Sequence, residues 1–258
     1  MLGRLRSRIG AWRYANRAGL KLIAAFAESH PRAFFVEVGA NDGEHEDLLQ
    51  RAIRSGDWRG IMVEPVPWIF ERLRANHGER DGLVFENAAI GDRDGSMPFF
   101  HMPPASDHED QGLPGWYHGI GSFSRESILR HAGQIPDLES RLVSTEVPTL
   151  TFDSLLAKHG VDSIDLLLVD TEGFDWEILR RVDFSRWRPR LVIYEHYHLT
   201  AATQSEAVET LRRHGYETLE EHFDTFCLRT DVDDDLTRTF RRLRPRLPAL
   251  LAESDPNR

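Results

Sequence analysis

Apolar positions in this chain come in short continuous runs separated by longer amphipathic stretches. That alternation predicts strands interleaved with helices, the pattern of a mainly parallel sheet. Strands are expected over residues 34–38, 60–64, 83–88, 164–170 and 191–195, and the run at 164–170 is the most hydrophobic. Helices are expected over residues 44–55, 67–76, 151–159, 173–182 and 204–214. Within 173–182, Phe174, Ile178 and Val182 recur every fourth residue and so share one helix face. The polar stretch GDRDG (residues 91–95) reads as a turn into a strand at 97–101, and residues 216–220 with 224–229 read as a closing hairpin. No internal repeat is visible.

The two ends and one internal stretch break this pattern. Leu2, Leu5, Ile9, Trp12, Leu20, Ile23 and Phe26 recur at roughly helical spacing with arginines between them. Such a basic amphipathic helix either lies on an anionic membrane surface or packs on the sheet or on a second subunit with its arginines in water. Residues 237–258 are rich in Arg, Leu and Pro and predict a short helix followed by a disordered stub. Residues 102–123, MPPASDHEDQGLPGWYHGIGSF, are long and aperiodic and read as a lid or substrate-binding insertion, or else as a mobile surface loop. The implied organisation is a helical N-terminal extension (1–33), a ligand-binding domain (34–230) and a C-terminal helical tail (231–258).

Composition narrows the class. The chain has 258 residues, 40% hydrophobic and 29% charged, as for a globular protein able to bury a full core. Net charge is −10, yet Arg4, Arg6, Arg8, Arg13, Arg17 and Lys21 meet no acid in their segment, so the rest of the chain is more acidic still. An acidic body argues against nucleic acid as the main partner, because phosphate contacts need a basic face. The single cysteine, Cys227, excludes an internal disulfide and fits a reducing compartment. No apolar run has the length of a transmembrane span and no uninterrupted signal-peptide core opens the chain, so a cytoplasmic location is expected. Lysine occurs only at Lys21 and Lys158 against a large excess of arginine, a usage that suggests a GC-rich bacterial genome.

Candidate chemistry concentrates at the strand ends, where open α/β sheets bind their ligands. In FFVEVGANDG (residues 34–43) an apolar run carrying Glu37 breaks into a Gly-Ala-Asn-Asp-Gly turn that presents backbone N–H groups to a ligand. A carboxylate there repels phosphate and suits an ammonium or sulfonium group, which points to S-adenosylmethionine (SAM). The plain alternative is a strand and turn with a solvated Glu. Glu64 follows the second strand, placed to accept both ribose hydroxyls in charge-assisted bonds. Asn87-Ala88-Ala89 forms a small corner able to admit an adenine ring, or a simple strand exit. In IDLLLVDTEGFDWEIL (residues 164–179), Asp170 and Glu172 share one strand tip, a costly pairing unless it meets a cation or holds a proton. Glu172 also fits as an ordinary acid at a helix N-terminus. Finally, Glu195-His196-Tyr197-His198 offers imidazoles suited to general-base work, His196 ahead of His198. Asp170, Glu172, Glu195 and His196 are chemically able to hold a metal, but no short ligand motif supports one, and no metal is assigned.

VEVGANDG (36–43), EP (64–65), NAAIGD (87–92), TLTFDSLL (149–156), the 164–179 stretch and DTFCLR (224–229), in that order, resemble the FkbM family of SAM-dependent methyltransferases. The resemblance implies a Rossmann-like class I methyltransferase fold, a seven-stranded mainly parallel sheet with one antiparallel strand and helices on both faces. It implies methyl transfer, most often to an oxygen of a small natural product or sugar. By position, Glu37, Gly39, Asn41 and Asp42 would hold the methionine end of SAM, Glu64 the ribose, and Asn87 and Ala88 the adenine, with Asp170 and Glu172 at the transfer site. Asp170 or His196 would take the acceptor proton. The first 33 residues and residues 102–123 lie outside the resemblance, so the acceptor and any pairing of subunits through the N-terminal helix stay open. Two other readings stand beside it. An NAD(P)-dependent oxidoreductase is disfavoured because GANDG lacks the third glycine of G-x-G-x-x-G and carries Asp42 where pyrophosphate would lie. A non-catalytic partner-binding protein that keeps the fold is the other.

Overall fold

The computed structural model describes residues 18–44, 47–104, 113–114 and 116–244. Seven strands form the main sheet: β1 (Phe34–Val38), β2 (Arg59–Val63), β3 (Leu83–Glu86), β8 (Leu166–Val169), β9 (Leu191–Glu195), β10 (Tyr216–Glu221) and β11 (Asp224–Arg229). Their order is β10-β11-β9-β8-β1-β2-β3. β11 runs antiparallel to both of its neighbours, and the pairings from β9 through to β3 are parallel.

The near-continuous apolar runs of β1, β8 and β9 follow from burial on both faces, as parallel strands covered by helices require. Alternation along β1 sends Phe35 to one apolar layer and Val36 and Val38 to the other. The Phe35 layer packs against α1 (Ala18–Ser29), through Leu22 and Phe26, and against α9 (Asp235–Leu243), through Leu236 and Phe240. The Val36 layer packs against α6 (Phe152–Lys158), α7 (Asp175–Leu179) and α8 (Ala201–Arg213). α2 (Gln50–Ser55) and α3 (Pro67–His77) also pack on the Phe35 layer, through Ile53 and Leu73.

The part of the basic N-terminal segment that is described therefore packs on the sheet. The N–H groups of Ala18 and Gly19 each donate to the Glu221 carboxylate at 2.7 Å, fixing α1 to β10. Residues 1–17, which hold most of the basic residues of that helix, and the expected stub after residue 244 lie outside the described residues. So do 105–112 and 115 of the expected lid. No helix among the described residues is long and apolar enough to cross a membrane.

The structure departs from the sequence pattern in three places. The helix expected at 44–55 is confined to α2, because Asp47 Oδ1 accepts the Leu49 and Gln50 N–H groups at 2.6 and 3.0 Å and holds the preceding turn open. The helix expected at 173–182 shortens to α7. Most consequentially, the strand expected at 83–88 stops at Glu86, and Ala89–Ile90 becomes β4, the edge of a second sheet. That sheet has the order β4-β7-β5-β6, with β5 at Gly95–His101, β6 at Gly121–Ser122 and β7 at Val143–Leu150. β7 escapes an apolar-run search because Ser144, Glu146 and Pro148 face water and only Val147 and Thr149 are buried. The chain between β6 and β7 carries α4 (Arg125–Leu129) and α5 (Leu138–Arg141).

Candidate functional site

A cavity of about 300 Å³ opens over the carboxyl ends of β1, β2 and β8, within the usual range for small-ligand pockets. The second sheet contributes Phe99 and Gly121 to its lining, and the 102–123 segment also adds Trp116 and Phe123.

The β1 turn reaches the tip of β8. Gly39 has φ +87°, and a Cβ there would sit 1.7 Å from the Asp170 carbonyl oxygen, so only glycine fits. The N–H groups of Gly39 and Ala40 both donate to the Val63 carbonyl at 3.0 Å. Asn41, at φ 48°, donates its N–H to Glu64 Oε2 at 3.1 Å, and Val66 donates its N–H to Glu64 Oε1 at 2.8 Å. The Glu64 carboxyl is thus fixed by two backbone groups, and burial pushes its pKa up to about 7.

Glu37 is 3% exposed, and its Oε2 is buried without a hydrogen-bond partner. Asp47 Oδ2 is in the same state, and both residues line the cavity. Burial first, then the charges of Asp47 and Asp170, hold the Glu37 carboxyl well above the usual range; burial lifts Asp47 to about 6. Two buried acids, each with an oxygen that meets no protein donor, are chemically able to take a cationic amine. Asp47 escapes the sequence reading, although Asp47-Leu48-Leu49-Gln50 has the D-x-x-Q spacing of a helix cap.

Other expected residues serve as supports. Asp42 Oδ1 accepts the Glu44 N–H at 3.0 Å, within its own turn, and the residue is outside the cavity lining. Asn87 Nδ2 donates to the Glu64 and Pro65 carbonyls at 2.8 and 3.1 Å, which commits its amide to the turn that carries Glu64. Ala88 is buried, and Ala89 and Ile90 line the cavity at that corner instead.

At the β8 tip, Asp170 is exposed and, with Thr171 and Glu172, lines the cavity. Glu172 sits at φ 54°, a left-handed conformation rare outside glycine, followed by Gly173 at φ 101°. A Cβ on Gly173 would lie 3.1 Å from His198 Cβ, so the glycine lets the turn approach the segment after β9. Asp175, fully buried, fastens this junction. Its Oδ2 accepts from Gly173 N–H and Thr171 Oγ1 at 3.2 and 3.1 Å, and its Oδ1 accepts from Glu195 N–H at 3.2 Å. Burial raises Asp175 to about 7.

The expected histidine is displaced by a neighbour. His196 Nδ1 is 2.9 Å from Thr225 Oγ1, and the residue does not line the cavity. His198, 8% exposed, places Nε2 at 3.0 Å from Glu172 Oε2 and 3.8 Å from Glu195 Oε1. His131 reaches the same carboxylate from the other side at 3.9 Å and packs on Trp116, ring centroids 5.1 Å apart. Burial lowers the His131 pKa, favouring neutral imidazole. Burial and the surrounding acids, Asp170 foremost, raise Glu195 strongly.

A mainly parallel sheet in this order, with its cavity over the tips of β1, β2 and β8, defines a Rossmann-like class I methyltransferase fold. The family model of the methyltransferase FkbM domain matches residues 37–218, and the chain belongs to that family. It is 26% identical over 221 residues to the 31-O-demethyl-FK506 methyltransferase FkbM of Streptomyces tacrolimicus, covering 78% of each chain. It is 25% identical over 151 residues to the 2-O-methyltransferase NoeI of Sinorhizobium fredii (strain NBRC 101917 / NGR234), covering 58% of this chain and 57% of that one. Among solved structures it resembles methyltransferase FkbM from Methylobacillus flagellatus KT, with a TM-score of 0.47 and 13% identity, over 76% of this chain and 44% of the other.

Proposed function

We propose that this methyltransferase uses SAM to methylate a hydroxyl of a small natural product or sugar. The observation that carries the reading is the pair of buried, unpartnered carboxylate oxygens, Glu37 Oε2 and Asp47 Oδ2, beside the Gly39 turn of the cavity. They fit the amino group of the methionine end, which supplies the missing donors. Glu64, already held by two N–H groups, accepts the ribose hydroxyls. Val66, Ile69 and Ile90 provide the apolar surface for adenine. Bound SAM supplies an electrophilic methyl group on a sulfonium centre.

The chain's own residues then position the acceptor. Asp170, exposed to the cavity, takes the hydroxyl proton as the oxygen approaches the methyl carbon. Glu172 faces the same space and is steered by His198. Trp116, Phe123 and Phe174 shield the acceptor from water and offer it apolar contacts. His196, engaged with Thr225, leaves the role of base to Asp170. Both named relatives act at an oxygen, which supports the same chemistry here. A thermal-shift series with SAM, S-adenosylhomocysteine and NADPH tests the cofactor. Stabilisation by the first two and not the third is expected; a response to NADPH alone would overturn the reading.

A further inference from the structure

One cluster at the cavity wall is not needed for binding SAM. His131 Nε2, Glu172 Oε2 and His198 Nε2 converge from three separate segments, and all three lie within 4.8 Å of one another. The two pairs that involve Glu172 measure 3.0 and 3.9 Å. Ligand atoms bound about 2.0–2.2 Å from one ion lie roughly 3–4 Å apart, so these separations need little adjustment. The rings of His131 and His198 are 5.2 Å apart, inclined at 65°, which lets both nitrogens face a common point.

We propose that His131, Glu172 and His198 bind a divalent transition-metal ion of the zinc or manganese class, at the acceptor end of the cavity. Two further observations lead there. His131 Nε2 is buried with no hydrogen-bond partner, and behind the cluster the Glu195 carboxyl, whose Oε1 lies 3.8 Å from His198 Nε2, also has a buried oxygen, Oε2, without one. A bound cation resolves the first, taking the His131 imidazole lone pair directly and meeting the Glu172 carboxylate beside it. The backbone is also built to hold the arrangement. Glu172 is kept at φ 54°, and Arg130 Nη1 donates to the His198 carbonyl at 2.9 Å, restraining the two residues that meet. Two imidazoles with one carboxylate favour a transition metal over magnesium. Three protein ligands leave the ion's remaining positions to water or to the acceptor oxygen, since Glu172 also lines the cavity. The role assigned to the ion, orienting and polarising the acceptor hydroxyl, rests on the proposed methyl transfer; its binding does not.

The test uses the full chain, stripped with a chelator and titrated with Co²⁺ alone, reading ligand-field absorption and bound metal per protein. One equivalent is expected to bind, and Zn²⁺ is expected to displace it. His198→Ala and His131→Ala, checked for folding by circular dichroism, are each expected to weaken Co²⁺ at least tenfold, and the milder His198→Gln to do so as well. His196→Ala, which changes an imidazole outside the cluster, is expected to bind as the wild type does. Absence of stoichiometric binding by the folded wild type, or equal binding by the cluster variants, overturns the proposal. SAM titration of the same preparations separates the two readings: SAM binding without Co²⁺ binding ends the metal site alone, and Co²⁺ binding without SAM binding ends the cofactor assignment alone.

Discussion

The behaviour of this site turns on acids that are more buried than acids usually are. Glu64 has a folded pKa of about 7, above the ordinary 4.5. Its contribution to the stability of the ligand-free protein is therefore fully present below the ordinary value and is lost as pH rises through about 7. In the proposed complex SAM would reverse the preference, because ribose hydroxyls would donate to the carboxylate and favour the charged form. Binding below neutral pH must then expel a proton, and SAM affinity is expected to rise by up to about tenfold per pH unit until pH 7 and then to level off. Glu37, also raised by burial, would contribute with the same sign if it meets the ammonium group as proposed. Calorimetry in buffers of different ionisation enthalpy reads the released proton, and Glu64→Gln is expected to reduce both the release and the slope; an unchanged slope removes Glu64 from the ribose assignment. For Asp170→Asn, turnover is expected to fall by about 10²–10⁴ with SAM affinity changed less than threefold, the signature of a lost base. Full activity in that variant would place the proton elsewhere.

At the scale of elements, two junctions hold the site and the fold. The first is the crossing of the β1 turn over the β8 tip at Gly39. Gly39→Ala forces a Cβ against the Asp170 carbonyl and also strains a φ of +87°. SAM binding is expected to be lost, with a melting temperature lowered by several degrees, as about 2 kcal/mol or more would produce in a domain of this size. Wild-type binding by this variant would show that the turn does not shape the ligand's path. The second junction ties α9 to the sheet. Arg190, 6% exposed, donates to Asp234 at 2.8 Å and to Thr237 Oγ1 at 2.9 Å, while Asp234 Oδ1 accepts the Thr237 N–H as the helix cap. Asp234→Ala removes the cap and leaves a buried guanidinium without its main partner, an expected loss of about 2–4 kcal/mol in urea unfolding. Asp234→Asn keeps the cap and should recover about 1 kcal/mol of it; equal losses would mean the ion pair alone matters.

Across the whole molecule, what was legible in the sequence and what was not divide along a physical line. Buried parallel strands announce themselves as apolar runs, so β1, β2, β8 and β9 and their order-defining alternation with helices were readable. The acids Glu37, within the first apolar run, and Glu64, Asp170 and Glu172, at or just past strand tips, were readable for the same reason, because a polar residue in or ending an apolar run stands out, and all four line the cavity. Of the second sheet, β5 was readable as the strand after the 91–95 turn, whereas β7 was hidden because it is one-sided, with solvent-facing Ser144, Glu146 and Pro148 diluting the pattern. Asp47, Asp175 and His131 were hidden because their importance lies in contacts between distant turns, which no local period encodes. That His196 turns to Thr225 while His198 meets Glu172 was not legible, because the strand ends at Glu195 and alternation ceases to predict direction beyond it. The central claim, that the cavity over β1, β2 and β8 binds SAM through the Gly39 turn, is tested most directly by calorimetric titration of the purified chain with SAM. One-to-one binding to the wild type, weakened at least tenfold in Glu64→Gln and abolished in Gly39→Ala, is the predicted result. A folded wild-type protein that takes up neither SAM nor S-adenosylhomocysteine would contradict it.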